Sequence, residues 1–211
     1  MGFVTIIDGP NFINDIHRYG KDVNFILNNL SLPGIDECLQ QELKKQGLAS
    51  HPFIHTYFVV ADRGHLGKLD HEERNKFLNK LRNEKGITVD EIIQSHRKGK
   101  EQQVDMSVFI RMLEMGPLSI PHYDPWRHIV LISSDSDYVP AIRLLSRMGT
   151  HTIVAGFRKL GEKEYPIELI NESYLFIEMS GILDSMGVMT KIKLSASNLT
   201  AVRFVSRLCP V

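Results

Sequence analysis

The sequence predicts an α/β fold built on one mostly parallel β-sheet. Short runs rich in β-branched and aromatic residues alternate along the chain with longer segments whose apolar residues recur at helical spacing. Strands that alternate with helices are joined by crossover connections, which make neighbouring strands parallel. The chain has 211 residues, of which 43% are hydrophobic, so it can bury one core of ordinary size.

The alternation assigns six strands and five helices. The predicted strands are Phe3–Ile7, Ile54–Val60, Ile87–Gln94, Ile129–Ser133, Thr152–Ala155 and Tyr174–Ile177. The predicted helices are 22–30, 35–47, 70–84, 104–115 and Val139–Met148. Leu32-Pro33-Gly34 is expected to separate the first two helices, and Gly149 is expected to end the last one.

Residues 1–180 are expected to form one domain. Residues 181–211 are rich in Ser and Met and have only weak periodicity. This C-terminal extension leaves three interpretations open: a short docking helix, a tail that contacts a second copy of the chain or another protein, and a frayed end.

Charge and composition exclude several classes of protein. Lys plus Arg equals Asp plus Glu at 25 each, so a nucleic acid partner has to be held by a local basic patch. No apolar run approaches the roughly 18 residues of a membrane span, and the N-terminus lacks the pattern of a signal peptide. The two cysteines, Cys38 and Cys209, lack metal-binding spacing, which favours free thiols in a reducing compartment, the cytoplasm.

Acidic residues fall where predicted strands end. Asp8 directly follows the first strand, and Asp135 and Asp137 follow the fourth strand. Asp105 lies at the start of the helix over 104–115, and Asn11 follows Asp8 by three residues. Because open parallel sheets bind ligands beyond the carboxyl ends of their strands, these side chains are expected to meet at one edge.

A cluster of carboxylates favours a divalent cation, because the charges would otherwise repel each other. Oxygen ligands suit Mg²⁺ or Mn²⁺, whose open coordination positions can take water and phosphate oxygens. Each acid also has a simpler explanation. Asp8 before Gly-Pro is typical of a turn, one of Asp135 and Asp137 is expected to cap a helix, and Asp105 suits a first helical turn. Their conjunction at one edge favours the metal site.

Three segments together resemble the NYN domain family, a branch of the PIN-like metal-dependent ribonucleases. They are VTIIDGPNF, VDMSVFIRML and VLISSDSDYVPAIRLLSRMGTHTIVAGF, and the resemblance covers roughly residues 3–178. It implies a three-layer α/β/α PIN-like fold and cleavage of RNA that depends on Mg²⁺ or Mn²⁺. By position, Asp8, Asp105, Asp135 and Asp137 are similar to the metal-binding acids of the family, with Asn11 beside them.

The sequence departs from the family pattern at Arg111. Many relatives have a second Asp there, two turns after the position of Asp105. This departure leaves an alternative open: a PIN-like module that binds RNA or protein and has lost efficient catalysis.

Basic residues after the strand ends are expected to hold the phosphates of RNA, which we expect to be single-stranded. Tyr138 is expected either to stack on an unpaired base or to belong to the core. The candidate substrate-binding residues are Arg63, Arg97, Lys98, Lys100, Tyr138, Arg158 and Lys159. For the charged ones, a solvated loop is the simpler alternative.

Overall fold

The computed structural model describes residues 2–48, 53–62, 66–92, 102–116, 128–157, 159–160, 163–164 and 167–186. Its strands are β1 (Phe3–Asp8), β2 (Phe53–Ala61), β3 (Ile87–Ile92), β4 (His128–Ile132), β5 (His151–Gly156), β6 (Lys159–Leu160), β7 (Lys163–Glu164) and β8 (Leu175–Glu178). Its helices are α1 (Gly9–Arg18), α2 (Val23–Asn29), α3 (Leu32–Lys45), α4 (His71–Arg82), α5 (Gln102–Met115), α6 (Val139–Arg147), α7 (Ile167–Glu172) and α8 (Met179–Ser185). A 3₁₀ turn at Ser136–Tyr138 precedes α6.

Six of these strands form one parallel sheet in the order β3-β2-β1-β4-β5-β8. All six correspond to strands predicted from the sequence, and the α/β class is confirmed. The order reverses between β1 and β4, because the chain first builds outward from β1 to β3 and then returns to the other side of β1. A crevice at such a reversal is the usual ligand site of an open parallel sheet.

Helices cover both faces of the sheet. Thr56 and Tyr57 are neighbours on β2, so their side chains point to opposite faces. The Thr56 hydroxyl donates to Asp36 of α3, whereas the guanidinium of Arg111, on α5, lies 4.6 Å from the centre of the Tyr57 ring. The helices α3 and α5 therefore lie on opposite faces, which gives the expected three-layer α/β/α arrangement.

The first helix, α1, was not predicted from the sequence. Asp8 is its N-cap, since the Asp8 carboxylate accepts the Asn11 N–H at 3.2 Å, and Pro10 fits the first turn. The apolar residues Phe12, Ile13 and Ile16 are buried. The Gly-Pro sequence after Asp8 therefore begins a helix and does not form a simple turn.

A close approach requires the glycine at the start of α1. A Cβ atom at Gly9 would lie 2.6 Å from Cγ1 of Val60 and 2.8 Å from the carbonyl oxygen of Val59. Both atoms belong to β2, so α1 can pack this tightly against the sheet only without a side chain at residue 9.

Two other helix boundaries follow local chemistry. The Ser31 hydroxyl accepts the Gly34 N–H at 3.3 Å, and Pro33 lies in the first turn, so Leu32-Pro33-Gly34 starts α3. The expected break between the first two helices therefore lies earlier, at Leu30 and Ser31. Gly149 ends α6 as predicted, with φ +82.

The last described helix, α8, crosses the expected domain boundary at residue 181. It packs against α3 and β5, and the Tyr19 hydroxyl donates to Asp184 at 3.0 Å. Within the described ranges Cys38 is a free thiol, half-buried on α3. Residues 187–211, including Cys209, lie outside the described residues. Among the described helices, none is long and apolar enough to cross a membrane.

Asp36 lies on α3, on the face of the sheet opposite to α5, and it makes the stability of the folded protein depend on pH. Burial raises its pKa to about 6, although hydrogen bonds from Thr56 and Thr5 partly oppose the shift. Between 3.8, the ordinary pKa of Asp, and about 6, the folded chain binds more protons than the unfolded chain. The free energy of unfolding contributed by Asp36 therefore falls as the pH rises through this window.

Asp36→Asn is expected to remove this slope. At neutral pH it should raise the free energy of unfolding by about 1–3 kcal/mol, because each pKa unit corresponds to about 1.4 kcal/mol. Urea denaturation in EDTA at about pH 4.5 and about pH 7.5 measures both effects. Glu37→Gln, at an exposed position of the same helix, is the control and should keep the wild-type profile. Parallel profiles for wild type and Asp36→Asn would contradict this account.

Candidate active site

Three of the predicted acids meet where the strand order reverses. Asp8 lies at the end of β1, Asp135 follows β4, and Asp105 lies in the first turn of α5. Asp8 comes three residues after Thr5, whose side chain faces α3, so the Asp8 carboxylate points to the opposite face, where α5 packs. The alternation of side chains along β1 thus places Asp8 on the face of the sheet where α5 carries Asp105.

The charges of these acids act on one another. Asp8 is only 3% exposed, and burial is the main cause that raises its pKa to about 7. The charges of Asp105 and Asp135 raise it further, whereas hydrogen bonds from the Asn11 N–H and the Tyr138 hydroxyl lower it. The site therefore concentrates negative charge around a buried carboxylate.

Tyr138 connects two of the acids through its hydroxyl. The hydroxyl donates to Oδ2 of Asp8 at 3.0 Å and to Oδ1 of Asp105 at 3.4 Å. Burial and the nearby acids raise the pKa of Tyr138 far above its ordinary value, so the hydroxyl keeps its proton. The residue is 2% exposed, which agrees with the second of the two alternatives for Tyr138, a place in the core.

The loop after β4 is tied to both β1 and α1. The Ser133 hydroxyl donates to Oδ2 of Asp8 at 3.4 Å and accepts the Asp135 N–H at 3.2 Å. Oδ1 of Asn11 accepts the Ser134 N–H at 2.8 Å. Asn11 thus anchors the loop that carries Asp135.

Asp135 and Asp137 differ in their surroundings. Oδ1 of Asp135 accepts the Asp137 N–H at 2.9 Å and so caps the 3₁₀ turn. Asp137 lies in that turn and is exposed. The capping role expected for one of the two acids therefore belongs to Asp135.

Arg111, the departure from the family pattern, has structural partners. Its guanidinium pairs with Asp90 of β3 at 2.7 Å and with Glu114 at 2.8 Å, in addition to its contact with Tyr57. These contacts tie α5 to β2 and β3. The arginine therefore has a structural explanation at this position.

Most of the candidate RNA-binding side chains are not described. Arg63, Arg97, Lys98, Lys100 and Arg158 lie outside the described residues. The backbone of Lys159 belongs to β6. Phe12 and Phe157, which flank the acidic motifs, are buried core residues.

The donor set fits a hard cation in its chemistry. It consists of carboxylate oxygens from Asp8, Asp105 and Asp135, and oxygen ligands suit Mg²⁺ or Mn²⁺. A cation would also offset the repulsion that contributes to the raised pKa of Asp8. Among the described residues, however, no group of three or more His, Cys, Asp or Glu side chains is already arranged to hold a metal ion. In the structure, the Tyr138 hydroxyl links two of the acids.

Sequence reasoning missed three features of the site. They are the helical setting of Asn11, the donor role of Tyr138 and the buried carboxylate of Asp15 on α1. The signal for α1 was present, because Asp before Gly-Pro with apolar residues at helical spacing is also a helix start.

Removing the Tyr138 hydroxyl is expected to destabilise the protein in the absence of metal. Tyr138→Phe leaves Asp8 and Asp105 with one donor fewer, which should lower the free energy of unfolding by about 1–3 kcal/mol. Urea denaturation in EDTA measures the change. Tyr19→Phe, which removes the more exposed bond to Asp184, is the control and should cost less. Equal losses in the two variants would show that Tyr138 has no special role.

The sequence model of the NYN domain matches residues 6–180, a span that begins within β1 and includes β4 and all three clustered acids. No curated protein matches the chain. The match covers well over half of the chain and ends within α8. The chain therefore belongs to the NYN domain family, within the PIN-like nuclease superfamily.

Proposed function

We propose that the protein is a metal-dependent endoribonuclease that hydrolyses phosphodiester bonds of RNA. The observation that carries this proposal is the burial of Asp8 beside Asp105 and Asp135 at the reversal of strand order. Membership of a nuclease superfamily supports the reaction class. Burying a carboxylate beside two others is unfavourable, and a bound cation would offset both the burial and the repulsion between the charges.

Asp8, Asp105 and Asp135 would hold the Mg²⁺ or Mn²⁺ ion, with Asp137 as an outer ligand on the exposed turn. When bound, the ion supplies Lewis acid chemistry, which lowers the pKa of water and stabilises the leaving oxygen. The chain's own residues prepare the site. Tyr138 fixes Asp8 and Asp105, while Asn11 holds the loop before Asp135.

The substrate would be held mainly through its phosphates. The residues proposed to contact these phosphates are the basic ones that follow the strand ends in sequence: Arg63, Arg97, Lys98, Lys100, Arg158 and Lys159. Contacts of this kind bind the backbone without reading the bases. Single-stranded RNA is the substrate we propose, because its backbone can bend to bring one phosphate to a recessed carboxylate.

A cleavage assay tests the proposed function. Purified wild-type protein is expected to cut single-stranded RNA with Mn²⁺ or Mg²⁺, and EDTA is expected to stop cleavage. Asp135→Asn should lose activity by about 100-fold or more, since it removes one charged ligand of the ion. RNA that stays intact with wild-type protein in both metals would refute the proposal.

The control for this assay is Asp22→Asn. Asp22 caps α2 by accepting the Phe25 N–H at 2.7 Å, and Asn is an equally good N-cap. The variant makes the same chemical change at a helix start outside the site. It should cleave RNA at the wild-type rate.

A second function is favoured by one observation. The resemblance to the NYN family implies an acid at the position of Arg111, and the bonds of Arg111 to Asp90 and Glu114 hold α5 in place. An arginine in place of an acid is what we would expect in a module that binds RNA without cleaving it. Binding of RNA that resists EDTA and the Asp8→Asn change, without cleavage, would select this function over the first.

A further inference from the structure

Asp15 is a buried carboxylate that the proposed mechanism does not use. It lies on α1, one turn after Asn11, and is 2% exposed. The Arg18 guanidinium approaches it at 3.4 Å, but the Arg18 side chain is itself 57% exposed. A buried charge is costly unless its hydrogen bonds serve the fold or a site, so the partners of Asp15 indicate its role.

One partner of Asp15 is Ser134, which directly precedes Asp135. The Ser134 hydroxyl donates to Oδ2 of Asp15, and the Ser134 N–H donates to Oδ1 of Asn11 at 2.8 Å. Asn11 and Asp15 are four residues apart, so they lie on the same face of α1. One helix face thus binds both the backbone N–H and the hydroxyl of a single loop residue.

The chemistry of a carboxylate suits this task. Oδ2 of Asp15 is the acceptor, so it determines the direction of the Ser134 hydroxyl. The contact therefore holds Ser134 against α1.

The loop that α1 holds through Ser134 also contacts the candidate metal-binding acids. Next to Ser134, the Ser133 hydroxyl accepts the Asp135 N–H and donates to Asp8. The loop is therefore held from α1 on one side and from β1 on the other. A shift of Ser134 away from α1 would move the backbone of Asp135.

We propose that Asp15 is a positioning residue of the candidate active site: by holding Ser134 against α1, it sets the place of Asp135 for the cation. This inference rests on the proposed function, because it assigns Asp135 to a metal site. Residues that orient metal ligands from outside the ligand set typically change metal affinity by about 10–100-fold when removed.

The test uses the full chain and two measurements, amide hydrogen exchange over residues 133–137 and Mn²⁺ affinity by titration calorimetry. In Asp15→Ala, the amides of Ser134 and Asp135 should exchange at least about 10-fold faster, and the Kd for Mn²⁺ should rise by about 10-fold or more. Asp15→Asn keeps an accepting oxygen and should restore most of both properties. Ser134→Ala removes the donor and should reproduce the Asp15→Ala result.

The control is Asp22→Ala, which removes the N-cap of α2 and lowers stability at another helix start. It should leave loop exchange and the Kd for Mn²⁺ unchanged. If Asp15→Ala does the same, the positioning role is refuted. If Asp15→Ala does not fold, Ser134→Ala decides between the same two results.

The two proposals fail in different ways. Wild-type protein that binds no Mn²⁺ would overturn the proposed function. The exchange measurement would then still show whether Asp15 holds the loop. Faster exchange in Asp15→Ala together with an unchanged Kd for Mn²⁺ would overturn the positioning role alone.

Discussion

The structure of the site depends on one costly placement, the buried carboxylate of Asp8 at the end of the central strand β1. A carboxylate in this position needs donors, and the surrounding residues supply them. Tyr138, Ser133 and the Asn11 backbone come from three different elements and all donate to it. The helix start after β1, the loop after β4 and the turn before α6 are therefore organised around a single side chain.

Sequence patterns predicted the sheet well, for a physical reason. The strands of a parallel sheet are covered on both faces, so they read as nearly continuous apolar runs such as Phe3–Ile7 and Ile129–Ser133. The acids at their ends could be assigned to one edge because parallel strands all end on the same side. The first helix was missed because Gly9-Pro10 has two meanings, a turn or a tightly packed helix start. Only the contact with β2 distinguishes them.

Side-chain direction was harder to predict than position. The sequence predicts Tyr138 beside the acids but does not show that its ring is buried and that its hydroxyl contacts Asp8 and Asp105. For Arg111 the family resemblance implies only the type of residue at that position, whereas its partners Asp90 and Tyr57 lie on strands far away in sequence. Such pairings depend on which strands become neighbours, and local patterns do not contain that information.

The missing side chain at Gly9 has a consequence for how the protein tolerates change. Residue 9 has no side chain, yet α1 carries Asn11 and Asp15 and reaches the sheet at a distance that one methyl group would increase. A displaced α1 would carry the loop anchors Asn11 and Asp15 with it. Substitution of Gly9 should therefore affect the proposed reaction through the loop that carries Asp135, even in a chain that still folds.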